Sequence, residues 1–210
     1  MKKIVILALV LLSIACESAK KEVILKADAS EIAENSKVYL SKIGENSKQI
    51  YIDTTEVING SFSFDLSEQK NQLLNIIRID GLPGNFIFVK EDVSPMQLKV
   101  DNLDLRNSEL TAGKHNQLLT DYVSSLKKYS ESMADVQSKL KNAFQMQNRS
   151  EMAEARSLQK SIDEESVDMR KQIIKENPES VVSLMVLSDL MRTKKINNLE
   201  AKEFFSSLGD

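Results

Sequence analysis

Two periods of hydrophobic spacing divide the chain. From Glu22 to about Thr111 apolar residues recur at every second position, as in half-buried strands, whose side chains alternate between faces. Val38-Tyr39-Leu40-Ser41 and Ile50-Tyr51-Ile52-Asp53 are rich in β-branched and aromatic residues. Ser61 to Leu66 alternates cleanly and puts Phe62, Phe64 and Leu66 on one face. Asn59-Gly60, just before it, is a strong hairpin signal because both residues tolerate positive φ. Leu73 to Ile79 is nearly continuous in apolar residues and predicts a strand buried on both faces. Phe86 and Phe88 share a face after the turn cluster Asp80–Asn85, and Met96 to Val100 alternates again. About eight short strands separated by turns predict an antiparallel β-sandwich over residues 22–112.

After Gly113 the period lengthens. Tyr122, Leu126, Tyr129, Met133, Val136 and Leu140 are spaced four, three, four, three and four apart, the seam of an amphipathic, coiled-coil-like helix. Asn148-Arg149-Ser150 interrupts it, with Ser150 as the expected cap of a second helix carrying Ala155, Leu158, Ile162, Met169 and Ile173. The short break implies an antiparallel hairpin over 114–176. Asn177-Pro178 then predicts a cap and first helical position for a buried helix over 178–192. A last short helix is expected over 198–208, led by Asn197 or Asn198. The fold class is therefore α+β, with a helical region over 113–210.

The first fifteen residues carry a different signal. Lys2 and Lys3 precede the unbroken apolar run Ile4–Leu12, too short to span a bilayer, which takes about 20 apolar residues. The run leads into Ser13-Ile14-Ala15-Cys16, a small residue followed by the only cysteine in the chain. This order predicts a lipoprotein signal peptide over 1–15, lipidation of Cys16 and a short tether over 16–21. A lone cysteine cannot form an internal disulfide, and acylation accounts for its sulfur. Without an acidic run after the cysteine, a periplasm-facing outer-membrane location is expected.

Composition narrows the function. Hydrophobic residues make up 41% and charged residues 28%, a globular balance. The net charge is −3, and loss of residues 1–15 removes two lysines and no acid. An acidic chain without a long basic run gives no electrostatic reason to bind nucleic acid. Aromatic residues are 5% and Trp is absent, so no stacking platform is expected.

Candidate chemistry is sparse. His115 is the only histidine, and with Cys16 assigned to lipid a zinc or copper site lacks ligands; no metal and no cofactor are expected. Neither a phosphate-binding glycine loop nor a Gly-X-Ser-X-Gly elbow occurs. Asp163-Glu164-Glu165 with Asp168 reads as a solvated helix face, since adjacent carboxylates on a helix diverge. Asn59-Gly60-Ser61 and Asn148-Arg149-Ser150 match a glycosylation pattern but serve a turn and a cap, and Asp53-Thr54-Thr55 reads as strand. The hairpin stripe, with Met133, Met146, Met152 and Met169, can fill a core or offer an adaptable contact to a second copy or an envelope protein.

The order of these features resembles a known family. Its marks are the segment ending in Cys16, Ser36–Ile43, Asp53-Thr54-Thr55, Asn59–Phe64, Arg78-Ile79-Asp80-Gly81-Leu82-Pro83-Gly84-Asn85, Glu176–Ser180 and Ser183–Leu187. Together they resemble the N-terminal domain of unknown function, with a helical insert, of bacterial lipoproteins in the thiol–disulfide oxidoreductase and peroxiredoxin-like group. The resemblance covers about residues 22–208 and is structural rather than catalytic. It implies a thioredoxin-like domain with a Cys-X-X-Cys pair, and no residue here matches that pair. The resulting expectation is a membrane-anchored, non-catalytic interaction module. The alternative is a truncated or split thiol–disulfide oxidoreductase.

Overall fold

The computed structural model describes residues 22–44, 48–70 and 73–209. The expected signal peptide, Cys16 and the tether lie outside the described residues. Among the described residues there are eight strands in two sheets, then four helices. The strands are β1 (Ile24–Asp28), β2 (Lys37–Ile43), β3 (Gln49–Glu56), β4 (Ser61–Asp65), β5 (Leu74–Ile79), β6 (Phe86–Val89), β7 (Met96–Lys99) and β8 (Glu109–Thr111). One sheet has the order β4-β1-β7-β8 and the other β3-β2-β5-β6.

Alternation decides which side chains meet. Leu25, Ala27, Phe62, Phe64, Met96 and Leu98 from the first sheet share a core with Val38, Leu40, Ile77, Ile79 and Phe88 from the second. Register keeps the apolar sets together: Leu25 lies opposite Phe64, and Ala27 opposite Phe62. A shift of one residue would turn every one of these outward.

Two expectations about the strands need correction. The sheets are not wholly antiparallel, because β1 and β7 run parallel. Between them the chain crosses to the other sheet for β2 and β3, returns for β4 and crosses again for β5 and β6, and this last crossover lets β7 re-enter in the direction of β1. Nor does Asn59-Gly60 close a ladder. Both residues have positive φ, as the turn requires, but the turn carries the chain from β3 in one sheet to β4 in the other. Only the Ile58–Ser61 bridge spans it. A side chain at position 60 would press on the Ser30 backbone, so glycine is needed for space as well as for φ.

The helices are α1 (Lys114–Gln145), α2 (Arg149–Glu176), α3 (Val181–Arg192) and α4 (Asn198–Ser207). Two caps differ from those expected. Asn148, rather than Ser150, caps α2 by accepting from Glu151 N–H, since left-handed Gln147 turns the chain one residue earlier. Ser180, rather than Asn177, caps α3, so the helix starts at Val181 and not at Pro178. Asn177 instead closes α2: its backbone N–H and side-chain amide both donate to the Ile173 carbonyl. Asn197 caps α4, accepting from Leu199 and Glu200.

A second core forms where the helices meet the strands. Leu119, Tyr122, Ile174, Val182, Val186, Leu187, Leu190 and Phe204 enclose Val89 of β6, with Leu74 of β5 packed against them. The joint is polar. Asn116, buried in the first turn of α1, accepts from Val89 N–H at 2.8 Å and donates to the Val89 carbonyl at 2.7 Å. Its amide stands in for the missing neighbour of edge strand β6. Glu91 completes the joint, accepting from the Asn116 backbone N–H at 2.9 Å and from its side-chain amide at 2.7 Å. The N-cap residue Gly113 offers no side chain, so Glu91 caps α1 from outside the helix and sets a carboxylate at its positive end. A Cβ at Gly113 would collide with the Glu91 carboxylate.

Asn116→Ala strands both Val89 backbone groups in a buried site and should cost about 3 kcal/mol in urea unfolding. Gln117→Ala, one residue on but exposed, should cost under about 0.5 kcal/mol. A loss below about 1 kcal/mol for Asn116→Ala would show that the joint is not critical.

Candidate interaction surface

The seam read from the sequence is spent inside the molecule. Tyr122 and Val136 are buried, and Leu126, Tyr129, Met133 and Leu140 are half-buried along the α1–α2 contact. Two seam tyrosines, seven residues apart, carry hydroxyls that need partners. Tyr122 donates to Asp189 of α3 at 2.7 Å, and Tyr129 donates to Asp163 of α2 at 3.0 Å. Burial, followed by the Asp189 hydrogen bond, pushes the Tyr122 hydroxyl pKa up.

Asp163 departs from the expected solvated face. It receives Lys195 Nζ on both oxygens, at 2.6 and 2.7 Å, as well as Tyr129. It thereby ties α1, α2 and the α3–α4 connection together. The hydrogen bond from Lys195 is the main reason its carboxyl lies below the ordinary range; partial burial opposes the shift. Glu164 pairs only with Lys160, one turn back. Arg170, buried on α2, donates to Ser166 Oγ at 2.9 Å and lies over the Tyr129 ring. Sequence reasoning misses this polar hub because its partners are far apart in the chain.

His115 is half-buried, with Nδ1 2.9 Å from Ser180 Oγ. A serine–histidine contact invites a nucleophilic reading, but Ser180 is buried and its oxygen accepts Val182 N–H as the α3 cap. The pair pins the start of α1 to the start of α3. Among the described residues no group of three or more His, Cys, Asp or Glu side chains could hold a metal ion. A cleft beside β1 and β7 is lined by Asp28, Ser30, Lys99, Asp101 and Glu109. Its aspartates are occupied by local turns: Asp28 accepts from Ser30 N–H, and Asp101 from Leu103 and Asp104. Asn59 sits in an exposed turn, Asn148 is a cap, and Asp53 accepts from Thr54 N–H on exposed β3.

The outward surface of the hairpin lies at its far end. The second core takes no residue between Leu126 and Val167. Among the described residues beyond that point α1 and α2 bury in full Val136, Ala143, Ala155 and, next to Val167, Ser166. The stretch from Leu126 to the end of α1 is about 28 Å long at 1.5 Å per residue. Ala143 takes the inward position after Leu140, which leaves Phe144 73% exposed and Met146 77% exposed at the tip. Met133, Met152 and Met169 are half-buried in the hairpin contact. The displacement of Phe144 from the stripe is readable from helical spacing, but the depth of its exposure is not.

Among the described residues no helix is long and apolar enough to cross a membrane. No family model matches the chain, and no curated protein matches it either.

The depressed Asp163 pKa fixes a sign. The folded state favours the carboxylate, so this contribution is present above the ordinary Asp pKa of 3.8 and is lost as pH falls through the lower folded value. Asp163→Asn should lower stability at neutral pH and flatten its fall between neutral pH and about pH 3. Both charged partners are about 30% exposed, which keeps the effect modest. Urea midpoints across that range measure it; an acid limb as steep as in the unaltered protein would assign the dependence elsewhere.

Proposed function

We propose that the protein is a lipid-anchored cell-envelope lipoprotein whose folded part is a non-enzymatic interaction module. In this reading Cys16 is acylated after removal of residues 1–15, and residues 16–21 tether the body to the periplasmic face of the outer membrane. The two sheets form a β-sandwich near the anchor. The family that the sequence resembles supplies a precedent for this architecture without its redox pair.

One observation carries the module reading. The hairpin continues well past its last contact with the second core, and beyond the Asp163–Lys195 tie it is paired only with itself among the described residues. A helix pair that served packing alone would end near Tyr129 and Asp163, where the last tie to the body lies. The extension presents an apolar tip away from the body, and a membrane anchor would confine that tip to a thin layer where its partners are concentrated. Glu91, Ser180 and Asp163 are committed to caps and cross-links, which supports a binding role over a catalytic one.

Two measurements test the reading. Cys16→Ser should abolish metabolic acyl labelling and leave the chain as uncleaved precursor; persistent labelling would refute the anchor. Replacing residues 131–161 by a short loop should leave cooperative unfolding intact, because the second core lies outside that segment. The same change should remove the adducts formed by in-cell cross-linking. An unchanged cross-link pattern would refute the hairpin as the interaction element.

A further inference from the structure

We infer that the hairpin tip docks on an anionic bilayer surface, with Phe144 and Met146 entering the interface and Lys139, Lys141 and Arg149 meeting lipid phosphates. This rests on the module reading above and names the partner of the same surface.

Charge sets the tip apart from the rest of the chain. From Val136 to Ser150 there are three cations, Lys139, Lys141 and Arg149, and no Asp or Glu, in a chain whose net charge is −3. The salt bridges among the described residues involve none of the three. All lie within about two helical turns of the loop, on either side of it; the same span of α2 also carries Glu151 and Glu154, so the tip is cationic by one net charge. Gln145, Gln147, Asn148 and Ser150 fill the remaining tip positions with neutral polar groups. Two exposed apolar side chains flanked by three cations match the chemistry of interfacial membrane contact: an aromatic and a thioether for the acyl boundary, and basic groups for the headgroups.

Size argues for lipid over protein. A stable protein interface takes about 800 Å² from each partner. The end of a two-helix rod with two large apolar side chains offers far less. A bilayer accepts such a small wedge, because each basic side chain adds attraction independently. Tethering of the same chain makes weak contact sufficient. The seam that would pair with a second copy is already turned onto α2.

The chain has no Trp, so Phe144→Trp creates a reporter confined to the tip. At an exposed position this change leaves the fold intact. The full-length variant, purified with its native modification, is reconstituted in phosphatidylethanolamine–phosphatidylglycerol vesicles and, separately, in phosphatidylcholine vesicles, each containing brominated lipid. The expected result is blue-shifted emission with bromine quenching in the anionic vesicles only. Both signals should disappear with Lys139→Glu, Lys141→Glu and Arg149→Glu combined. Emission unchanged in both vesicle types would overturn the inference, as would quenching indifferent to lipid charge and to the three reversals. A concentration-dependent blue shift without quenching would assign the tip to a second copy and also overturn it. Cross-linking of the hairpin-replaced protein does not depend on lipid. If its adducts vanish while the vesicles give no quenching, the membrane inference alone fails; if its adducts persist, the module reading fails.

Discussion

The architecture depends on one side-chain amide. Asn116 closes both backbone groups of Val89, and it can do so only because Glu91 holds the first turn of α1 in place. An edge strand left open beside a hydrophobic helix cluster would bury unpaired N–H and C=O groups. With the amide in place, the outer face of β6 becomes a floor for the second core. Val89 is then shared between the strand layer and the helices. Among the described residues the long hairpin makes no other side-chain hydrogen bond to a strand, so the direction in which it leaves the body is set at this joint.

From that joint outward the hairpin changes character. Its proximal half is fixed by apolar packing and by three cross-links, Tyr122 to Asp189, Tyr129 to Asp163 and Lys195 to Asp163. Lys171 to Glu200 adds a fourth tie, to α4. Each of these hydroxyls and charges has a defined partner, so the hub specifies one register of the helices. The distal half has only the α1–α2 contact. Stability in such an element falls toward the tip, because few buried contacts resist local opening. A rigid base with a lightly packed end suits adaptation to a soft or irregular partner.

The candidate surface is partly legible in the sequence. The heptad spacing of Tyr122 to Leu140 yields a helix and its inward stripe, because a period is a local property. It does not say whether that stripe faces α2 or another molecule, since both uses demand the same residues. Met146 is visible as an adaptable side chain, whereas Phe144 stands out only once Ala143 occupies the inward position. The caps at Asn148 and Ser180 each lie two or three residues from where the sequence puts them. Several capping residues stand side by side there, and backbone direction alone selects among them.

What the sequence determined by itself was the succession of elements. Alternation produced the strands, the longer period produced the helices, and Asn59-Gly60 produced the turn, all through interactions among near neighbours. Tertiary structure decided everything that joins distant positions: the parallel pairing of β1 with β7, the transfer of the chain between sheets at Gly60, the Asn116–Glu91 joint and the Asp163–Lys195 clamp. The physical reason is that hydrogen-bonding groups specify the chemistry of a partner but not its address. Only the packed fold, by excluding water from one arrangement, selects which of many chemically equal partners is met.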